Sequence, residues 1–449
     1  MTASQPAAAP ISTTPPPATP LRLAYLMSRF PKATETFVLY EILELERLGH
    51  HVEIFPLVRE RESVVQPGAA ALVERAHDLR PWSRPVLAAQ LHWLRRRPGA
   101  YVGSWLGAIR GTFRSPRFLL RALVAVPIGA AIARRVVELD LEHIHAHWAT
   151  HPTLAAWVAS RLSGRPYSFT AHAHDIQVER AMLDEKIRSA RFVVTISEAN
   201  RRLLAGWYGP TADAKTIVIH CGADPAVFAP PLPSEPEPAI TASQTDPAEH
   251  SEPAGPAGGV VVSVASLQPQ KGHRVLIEAC GLLRDRGRAV RCTLVGEGEE
   301  RLALEAQIRA LDLGDVVSLV GAQPRDQVVL LVEGADVVVQ PSIVLPSGKT
   351  EGIPVALMEA LAAERAVVAS AVSGIPELVV DGVTGVLVQP GDAAALAQAI
   401  ERLLDDPALR MRLGQAGRRK VLAEFDLHKN TVLLAERFRE SVGANPDRA

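Results

Sequence analysis

The stretch KTEGIPVALMEALAAERAVVASAVSGIPEL, residues 349–378, joins a helix-like segment to a strand-like segment. Pro354 stands where a helix can begin, because a proline in the first helical turn gives up no hydrogen bond. The apolar run AVVAS that follows is typical of a buried strand. A helix followed directly by a buried strand indicates a parallel sheet, so the stretch predicts one unit of an α/β fold.

The same alternation of strands and helices extends in both directions and forms two blocks. Because parallel α/β sheets bind ligands at the carboxyl ends of their strands, two such domains are expected to face a central cleft. The sequence thus predicts an α/β chain with two Rossmann-like, doubly wound parallel sheets. Its expected parts are a disordered tail at 1–20, a first domain at 21–228, a Pro/Glu-rich linker at 229–259, a second domain at 260–425 and a C-terminal helix at 426–449. The first domain is expected to contain a basic helical insertion at 79–137. For the C-terminal helix, packing back on the first domain is one option.

Cysteine content and apolar runs favour a cytoplasmic protein. Three scattered cysteines cannot build a disulfide framework and fit a reducing compartment. The N-terminal residues have neither the basic nor the apolar region of a secretory signal. The longest apolar run, 118–133, is interrupted by Arg121 and Pro127 and is shorter than a membrane span requires, so no transmembrane helix is expected.

Three motifs could suggest other chemistry, and their surroundings argue against each. GEGEER at 296–301 has an arginine where the dinucleotide-binding fingerprint needs its third glycine. SGKT at 347–350 ends like a P-loop, but Ile343 stands where that loop needs a glycine. A group of histidines, without cysteines or well-spaced carboxylates nearby, favours packing at a sheet end over a metal site: His143, His145, His147 and His151.

Two glutamates in the opening stretch are candidates for ligand binding. Glu351 lies on the loop before the predicted helix, and Glu359 lies inside that helix. The free N–H groups at a helix start suit a phosphate, and a carboxylate can accept hydrogen bonds from two vicinal hydroxyls. Together these groups could hold a sugar nucleotide, although their spacing alone favours a helix with two surface glutamates.

The wider sequence resembles the retaining glycosyltransferase family 4, which has the GT-B fold. The blocks that carry the resemblance are FPKATETFVLYEILELERLGHHVEIFPL, SFTAHAHDI, TISEANRRLL, HCGADPAVF, ASLQPQKGH and VGEGEERLALEAQIRALDLGDVVSLVG, followed by the opening stretch itself. They cover nearly all of residues 21–438 except the linker and the arginine-rich window. RFPKATETF is similar to the branch that builds exopolysaccharides such as colanic acid.

The resemblance implies roles for particular residues. Glu351 would contact the donor sugar, Glu359 the ribose, and Lys271 the diphosphate, while His172 would approach the donor's sugar. For Asp175, a functional role and a helix N-cap stay open. The remaining implied positions are Gly298, Gly352, Ile353 and Pro354 for donor binding, Lys32, Glu35 and Thr36 for acceptor contact, and Ser266, which stands where the family usually has an arginine.

The implied activity is transfer of a hexosyl group from a nucleotide-sugar donor with retained anomeric configuration. The leaving phosphate would take the acceptor's proton, and neither a cofactor nor a metal is expected. The acceptor would be a saccharide or a polyprenyl-linked saccharide. Two alternatives stay open: a sugar-nucleotide epimerase or hydrolase of the same fold, and a non-catalytic binding protein, which the serine at position 266 favours slightly.

Residues 79–137 contain many arginines and no acidic residue. Basic, aromatic-bearing helices suit an anionic membrane surface, so peripheral binding at the inner face of the plasma membrane is expected. A solvated helical insertion is the alternative. Nucleic acid is not an expected partner, because no recognition motif accompanies the charge.

Overall fold

A computed structural model describes residues 19–32, 35–60, 68–230 and 258–444. The described chain forms two six-stranded sheets in which every pairing between strands is parallel. This confirms the predicted α/β fold with two doubly wound sheets. Residues 1–18 of the predicted tail and residues 231–257 of the predicted linker lie outside the described residues.

The first sheet has the order β2-β1-β3-β4-β5-β6. Its strands are β1 (Arg22–Phe30), β2 (His51–Arg59), β3 (His143–His147), β4 (Tyr167–Ala171), β5 (Val193–Thr195) and β6 (Thr216–Val218). Its helices are α1 (Thr36–Arg47), α2 (Ala69–Arg75), α3 (Arg84–Arg96), α4 (Pro98–Thr112), α5 (Pro116–Glu138), α6 (His151–Ser163), α7 (His174–Gln177), α8 (Leu183–Ser189), α9 (Glu198–Tyr208) and α10 (Pro210–Lys215).

The second sheet has the order β12-β11-β10-β7-β8-β9. Its strands are β7 (Gly259–Val264), β8 (Val290–Val295), β9 (Val317–Gly321), β10 (Val337–Gln340), β11 (Ala366–Ser370) and β12 (Val386–Val388). The helices that follow are α11 (His273–Asp285), α12 (Arg301–Ala310), α13 (Arg325–Glu333), α14 (Val355–Ala362), α15 (Ile375–Leu378), α16 (Ala393–Asp405), α17 (Pro407–Glu424) and α18 (Leu427–Gly443), and a 3₁₀ turn covers Pro269–Lys271.

The central strands read as apolar runs because both faces of each sheet are covered. Every residue of β4, β10 and β11 is buried. Aspartates start the last three helices: the side chains of Asp392, Asp406 and Asp426 each accept a hydrogen bond from a backbone N–H in the first turn. Such caps stabilise a helix by about 1 kcal/mol.

Helix α18 returns from the second sheet to the first. Phe438 is fully buried, and its ring packs against the rings of Tyr25 and His145. The hydroxyl of Ser441 is 3.1 Å from Nδ1 of His143. The last helix therefore completes the core of the first domain, and the chain passes between the domains twice.

Helices α3, α4 and α5 form the arginine-rich insertion; α4 and α5 pack on α6, and α3 packs on α4 and α5. Trp93 of α3 is buried and donates from Nε1 to the carbonyl of Ala130 in α5, at 2.8 Å. Within the described chain, α5 is the one helix long and apolar enough to cross a membrane, and 56% of its apolar window is buried inside the protein. It runs through Pro127 without a break and serves as a core helix here.

Candidate active site

A cleft of about 730 Å³ lies where the carboxyl edges of the two sheets face each other. The first domain contributes the β1–α1 region and the end of β4. The second contributes the loops that follow β7, β8 and β9, together with the start of α14. The volume falls within the range of about 300–1,000 Å³ typical of small-molecule sites.

Lys271 and Glu351 form an ion pair at the floor of the cleft, with side chains 16% and 18% exposed. The 3₁₀ turn after β7 carries Lys271, and the loop before α14 carries Glu351. Gly272 makes this approach possible, since a Cβ there would lie 1.9 Å from the carbonyl oxygen of Pro341 and its φ is +72°. The loops after β7 and β10 therefore place a cation beside a carboxylate.

Helix α14 points its first turn at the cleft, which Gly352, Ile353 and Pro354 also line. The helix begins one residue later than the sequence predicts, with Pro354 at the cap. Glu359 lies on the cleft side of α14, and burial raises its pKa to about 7, an effect that the cation of Arg325 opposes. The predicted second carboxylate is thus a half-buried group of the cleft.

His172 follows β4 and borders the cleft from the first domain, with 8% of its surface exposed. Burial lowers the pKa of its imidazole well below the usual value, with His147 adding to the shift, so the ring is neutral at pH 7. Its backbone is held from both sides. Its N–H donates to Asp175 at 2.9 Å, and its carbonyl accepts from Asn200 at 2.9 Å.

Asp175 serves the loops behind the cleft. Its carboxylate also accepts from the N–H of Ala149 at 2.6 Å, and burial raises its pKa to about 6. The ammonium of Lys186 donates to the carbonyl of Ala149 at 2.7 Å from the other side. These contacts fix the ends of β3 and β4. Asp175 therefore contacts the loops behind the cleft and does not line the cleft itself.

The predicted acceptor residues Lys32, Glu35 and Thr36 all border the cleft, and Lys32 and Glu35 form an ion pair. Burial raises the pKa of Glu35, and the charge of Lys32 opposes this shift. Gly298 lies just behind the lining: a Cβ there would approach the carbonyl oxygen of Leu267 to 2.4 Å. This glycine lets the loops after β7 and β8 meet.

Two cations of the cleft were not predicted from the sequence. Arg325, at the start of α13, lies over the ring of Tyr40 at 4.0 Å and so bridges the two domains. Lys349 borders the cleft near Ser266, with Nζ 3.4 Å from the amide oxygen of Gln268. Both cations line the same cleft as Ser266, and the lysine in the SGKT segment was the one available signal.

Glu377 binds across the domain interface. Its two carboxylate oxygens accept from the backbone N–H groups of Glu198 and Ala199 at the start of α9, each at 2.8 Å. A Cβ at Gly374 would lie 2.9 Å from that of Ser197. The second Gly-Ile-Pro-Glu motif therefore joins the domains beside the cleft, a role that the sequence analysis did not anticipate.

His143, His145 and His147 lie side by side on one face of β3, beneath α1 and α18. Donor atoms of Glu41, His145 and His147 lie within 4.8 Å of one another, a spacing that could hold a metal ion. However, the two ring nitrogens of His145 are 2.8 and 3.0 Å from the hydroxyls of Ser168 and Thr170. Hydrogen bonding already occupies this histidine, which favours the packing role.

Known proteins match the chain along most of its length. Residues 247–420 match the family described as glycosyl transferases group 1, and residues 34–227 match glycosyltransferase family 4. The amylovoran biosynthesis glycosyltransferase AmsK of Erwinia amylovora is 30% identical over 428 residues, which cover 93% of this chain and 98% of that protein. The chain belongs to glycosyltransferase family 4.

Other relatives of this glycosyltransferase support the assignment. The putative colanic acid biosynthesis glycosyltransferase WcaL of Salmonella typhimurium is 28% identical, with coverage of 90% of this chain and 96% of that protein. A glycosyltransferase structure from Rickettsia africae has a TM-score of 0.68 at 17% identity and covers 94% of this chain and 99% of its own. The Anabaena Alr3699/HepE complex with UDP-glucose has a TM-score of 0.66 at 19% identity, covering 93% and 100%. These structures establish the GT-B fold.

Proposed function

We propose that this glycosyltransferase moves a hexosyl group from a nucleotide-sugar to a saccharide or polyprenyl-linked acceptor in exopolysaccharide synthesis, with retention of anomeric configuration. The arrangement of Lys271, Glu351, Glu359 and the start of α14 in one cleft supports the proposal. The amylovoran and colanic acid relatives are named for exopolysaccharide synthesis, and the HepE structures contain UDP or UDP-glucose.

Each group of the cleft suits one part of such a donor. The N–H groups at the start of α14 suit the diphosphate, because a helix N-terminus attracts anions. The ammonium of Lys271 would stabilise charge on the leaving phosphate, and Glu351 would accept from sugar hydroxyls. Glu359 can accept from both ribose hydroxyls once it is ionised. Arg325 and Lys349 would add positive charge around the diphosphate.

The proposed chemistry needs no carboxylic acid catalyst. The bond between the anomeric carbon and the phosphate oxygen breaks through an oxocarbenium-like transition state. The acceptor hydroxyl attacks from the same face and gives its proton to the departing phosphate. In this scheme the two glutamates position the substrate, in contrast to the acid and nucleophile pair of a glycosidase. No protein-held metal or cofactor takes part in the scheme.

Donor binding is the first test. Wild-type protein should be screened by thermal shift and calorimetry against UDP-, GDP- and ADP-sugars, and one nucleotide class should raise Tm. Glu359→Gln should bind that donor more weakly, whereas Glu299→Gln, at an exposed position of the same domain, should bind like wild type. The proposal is wrong if wild type binds no sugar nucleotide by either method.

The product separates transfer from its alternatives. With a bound donor and a polysaccharide-repeat acceptor, the expected product carries the new linkage in the donor's own anomeric configuration, which NMR can read. Donor breakdown without any acceptor would indicate the hydrolase or epimerase. Tight donor binding without sugar transfer to any of the acceptors tested, and without donor breakdown, would indicate a non-catalytic protein.

Because the proposed acceptor can be polyprenyl-linked, we propose that the enzyme works at the cytoplasmic face of the membrane. Helix α4 exposes an apolar stripe at Val102, Leu106, Ile109 and Phe113, with Leu106 63% and Phe113 58% exposed. Helix α3 exposes a similar stripe: Leu87, Leu91 and Leu94. Arginines surround both stripes, and residues 79–137 contain no acidic side chain, so the surface suits anionic lipid.

The N-terminal end of α5 connects this surface to the cleft side of the first domain. Nη1 of Arg121 in α5 donates to both carboxylate oxygens of Glu179, at 3.0 Å each, in the segment that follows β4. The carboxyl ends of β1 and β4 border the cleft on the same side. A polyprenyl-linked acceptor held in the bilayer would therefore approach the cleft from the surface that binds the lipid.

Vesicle sedimentation tests the membrane part. The protein should bind phosphatidylglycerol vesicles more strongly than phosphatidylcholine vesicles, and the binding should weaken as salt is raised. Leu106→Ser together with Phe113→Ser should weaken it at least tenfold. Leu302→Ser, at a 78% exposed leucine of the second domain, is the control. Equal binding by all variants would leave the solvated insertion as the correct description.

A further inference from the structure

A chain of hydrogen bonds runs from the core of the first domain to the cleft. The hydroxyl of Tyr25 donates to Oε1 of Glu41 at 2.9 Å. The same oxygen is 3.0 Å from Nε2 of His147, whose Nδ1 is 3.3 Å from Nε2 of His172. His147 is 1% exposed, while His172 borders the cleft. These four side chains, from β1, α1, β3 and the end of β4, therefore form one continuous chain of hydrogen bonds.

The chemistry of these groups determines which atom donates and which accepts in each hydrogen bond of the chain. An ionised carboxylate can only accept, so His147 donates from Nε2 to Glu41. We take His147 as the neutral imidazole, in which the other nitrogen is then an acceptor, so Nδ1 of His147 accepts from Nε2–H of His172, 3.3 Å away. His172 carries one proton, because burial lowers its pKa well below the usual value. Its Nδ1 is thereby left with a lone pair.

That lone pair faces the cleft. Among the described residues, Nε2 is the ring nitrogen of His172 that has a protein partner, and Nδ1 is not among the buried unpaired atoms of the described chain. The rings of Phe37 and Trp148 pack against His172 with centroids 5.0 and 5.2 Å away, which limits rotation of the imidazole. The ring is held in one tautomer and one orientation.

We infer that Glu41 and His147 are positioning residues that fix His172 as a hydrogen-bond acceptor, so that its Nδ1 selects a hydroxyl of a sugar bound in the cleft. The inference rests on the proposed function for the identity of the ligand. It adds a specificity element, because a deoxy sugar, or one with an acceptor at that position, would leave the Nδ1 lone pair without a donor.

The tautomer can be read directly, whether or not the enzyme has been shown to transfer sugar. In full-length protein labelled with ¹⁵N-histidine, the ring signal that disappears in His172→Gln identifies His172 among the 14 histidines, and it should show a proton on Nε2 and an unprotonated Nδ1. A proton on Nδ1 of His172, or a doubly protonated ring, at neutral pH would overturn the inference. A failure of the proposed function would leave this spectrum unchanged.

Two isosteric variants separate positioning from packing. The amide of asparagine falls near the place of Nδ1 in histidine, and the amide of glutamine near that of Nε2. His147→Asn keeps an acceptor for His172 and should retain transfer within about threefold of wild type. His147→Gln keeps a group near Glu41 instead, and should lose about tenfold in kcat/KM, the cost of one neutral hydrogen bond.

The kinetics also show which sugar His172 contacts. If it contacts the donor, the loss in His147→Gln should appear in the donor Kd from calorimetry and should vanish for the matching deoxy donor. If it contacts the acceptor, the donor Kd should stay constant and the acceptor KM should rise. Equal losses in both variants, with equal falls in Tm, would show a packing role and overturn the inference.

Discussion

Glu377 offers the sharpest test of how the two domains are held together. Its carboxylate accepts from the N–H groups of Glu198 and Ala199 at 2.8 Å each, across the interface and at the positive end of α9. Glu377→Ala removes both bonds and the favourable charge. The side chain belongs to α15 and borders the domain interface, so the change leaves the charges that line the cleft in place.

The size of the effect follows from the contacts. A hydrogen bond to a charged group contributes about 1.5–3 kcal/mol, and the two N–H groups regain water once the domains part. We therefore take the lower end for both bonds and expect the closed arrangement to lose about 3 kcal/mol. By the usual conversion this lowers the ratio of closed to open protein roughly 100-fold. Glu377→Gln, which keeps one acceptor oxygen, should lose about half as much free energy.

The assay joins solution scattering to enzyme kinetics. Glu377→Ala should have a larger radius of gyration than wild type, a kcat at least tenfold lower, and an unchanged far-ultraviolet circular dichroism spectrum. Glu299→Ala, an exposed glutamate of the same domain, is the control and should match wild type. Wild-type scattering together with wild-type kcat in Glu377→Ala would refute the assignment of this contact to domain closure.

Three further predictions concern the cleft. Lys271→Ala should lower kcat at least 100-fold while donor Kd changes less than tenfold, as expected when a charge acts mainly on the leaving group; an equal loss in both would contradict that role. Donor affinity should rise as pH rises through about 7, because the pKa of Glu359 is about 7 and its ionised form accepts from two hydroxyls; Glu359→Gln should flatten this calorimetric profile. Lys349→Ala should weaken donor binding about tenfold, and adding Ser266→Arg should restore it; failure of the double variant would argue against Lys349 as a substitute for the absent arginine.

The fold was predictable because parallel strands covered on both faces appear in the sequence as uninterrupted apolar runs. AVVAS corresponds to β11, and VVVQ to β10, with every residue buried. Strand ends were less accurate: the apolar run at 21–27 predicts the first strand, whereas β1 continues to Phe30. Polar and charged residues at its end carry no apolar signal, although they still pair with β2.

The site was predictable where its residues follow one another along the chain. Glu351, Glu359 and the intervening helix start belong to one local motif, and the structure places both carboxylates at the cleft. Arg325, Lys349 and Glu377 act through contacts between loops or domains distant in sequence. Their local surroundings resemble those of ordinary surface charges, so spacing and periodicity could not identify them.

The return of α18 to the first sheet has a consequence for synthesis in the cell. The rings of Tyr25 and His145 pack against Phe438, which leaves the ribosome after the entire second domain. The first domain therefore exposes the apolar surface that α18 later covers until the second half of the chain has been translated. If translation stalls late or terminates early, the incomplete protein exposes this surface and becomes a target for chaperones and proteases. A circular permutant that begins with Leu427–Gly443 should complete the core of the first domain sooner.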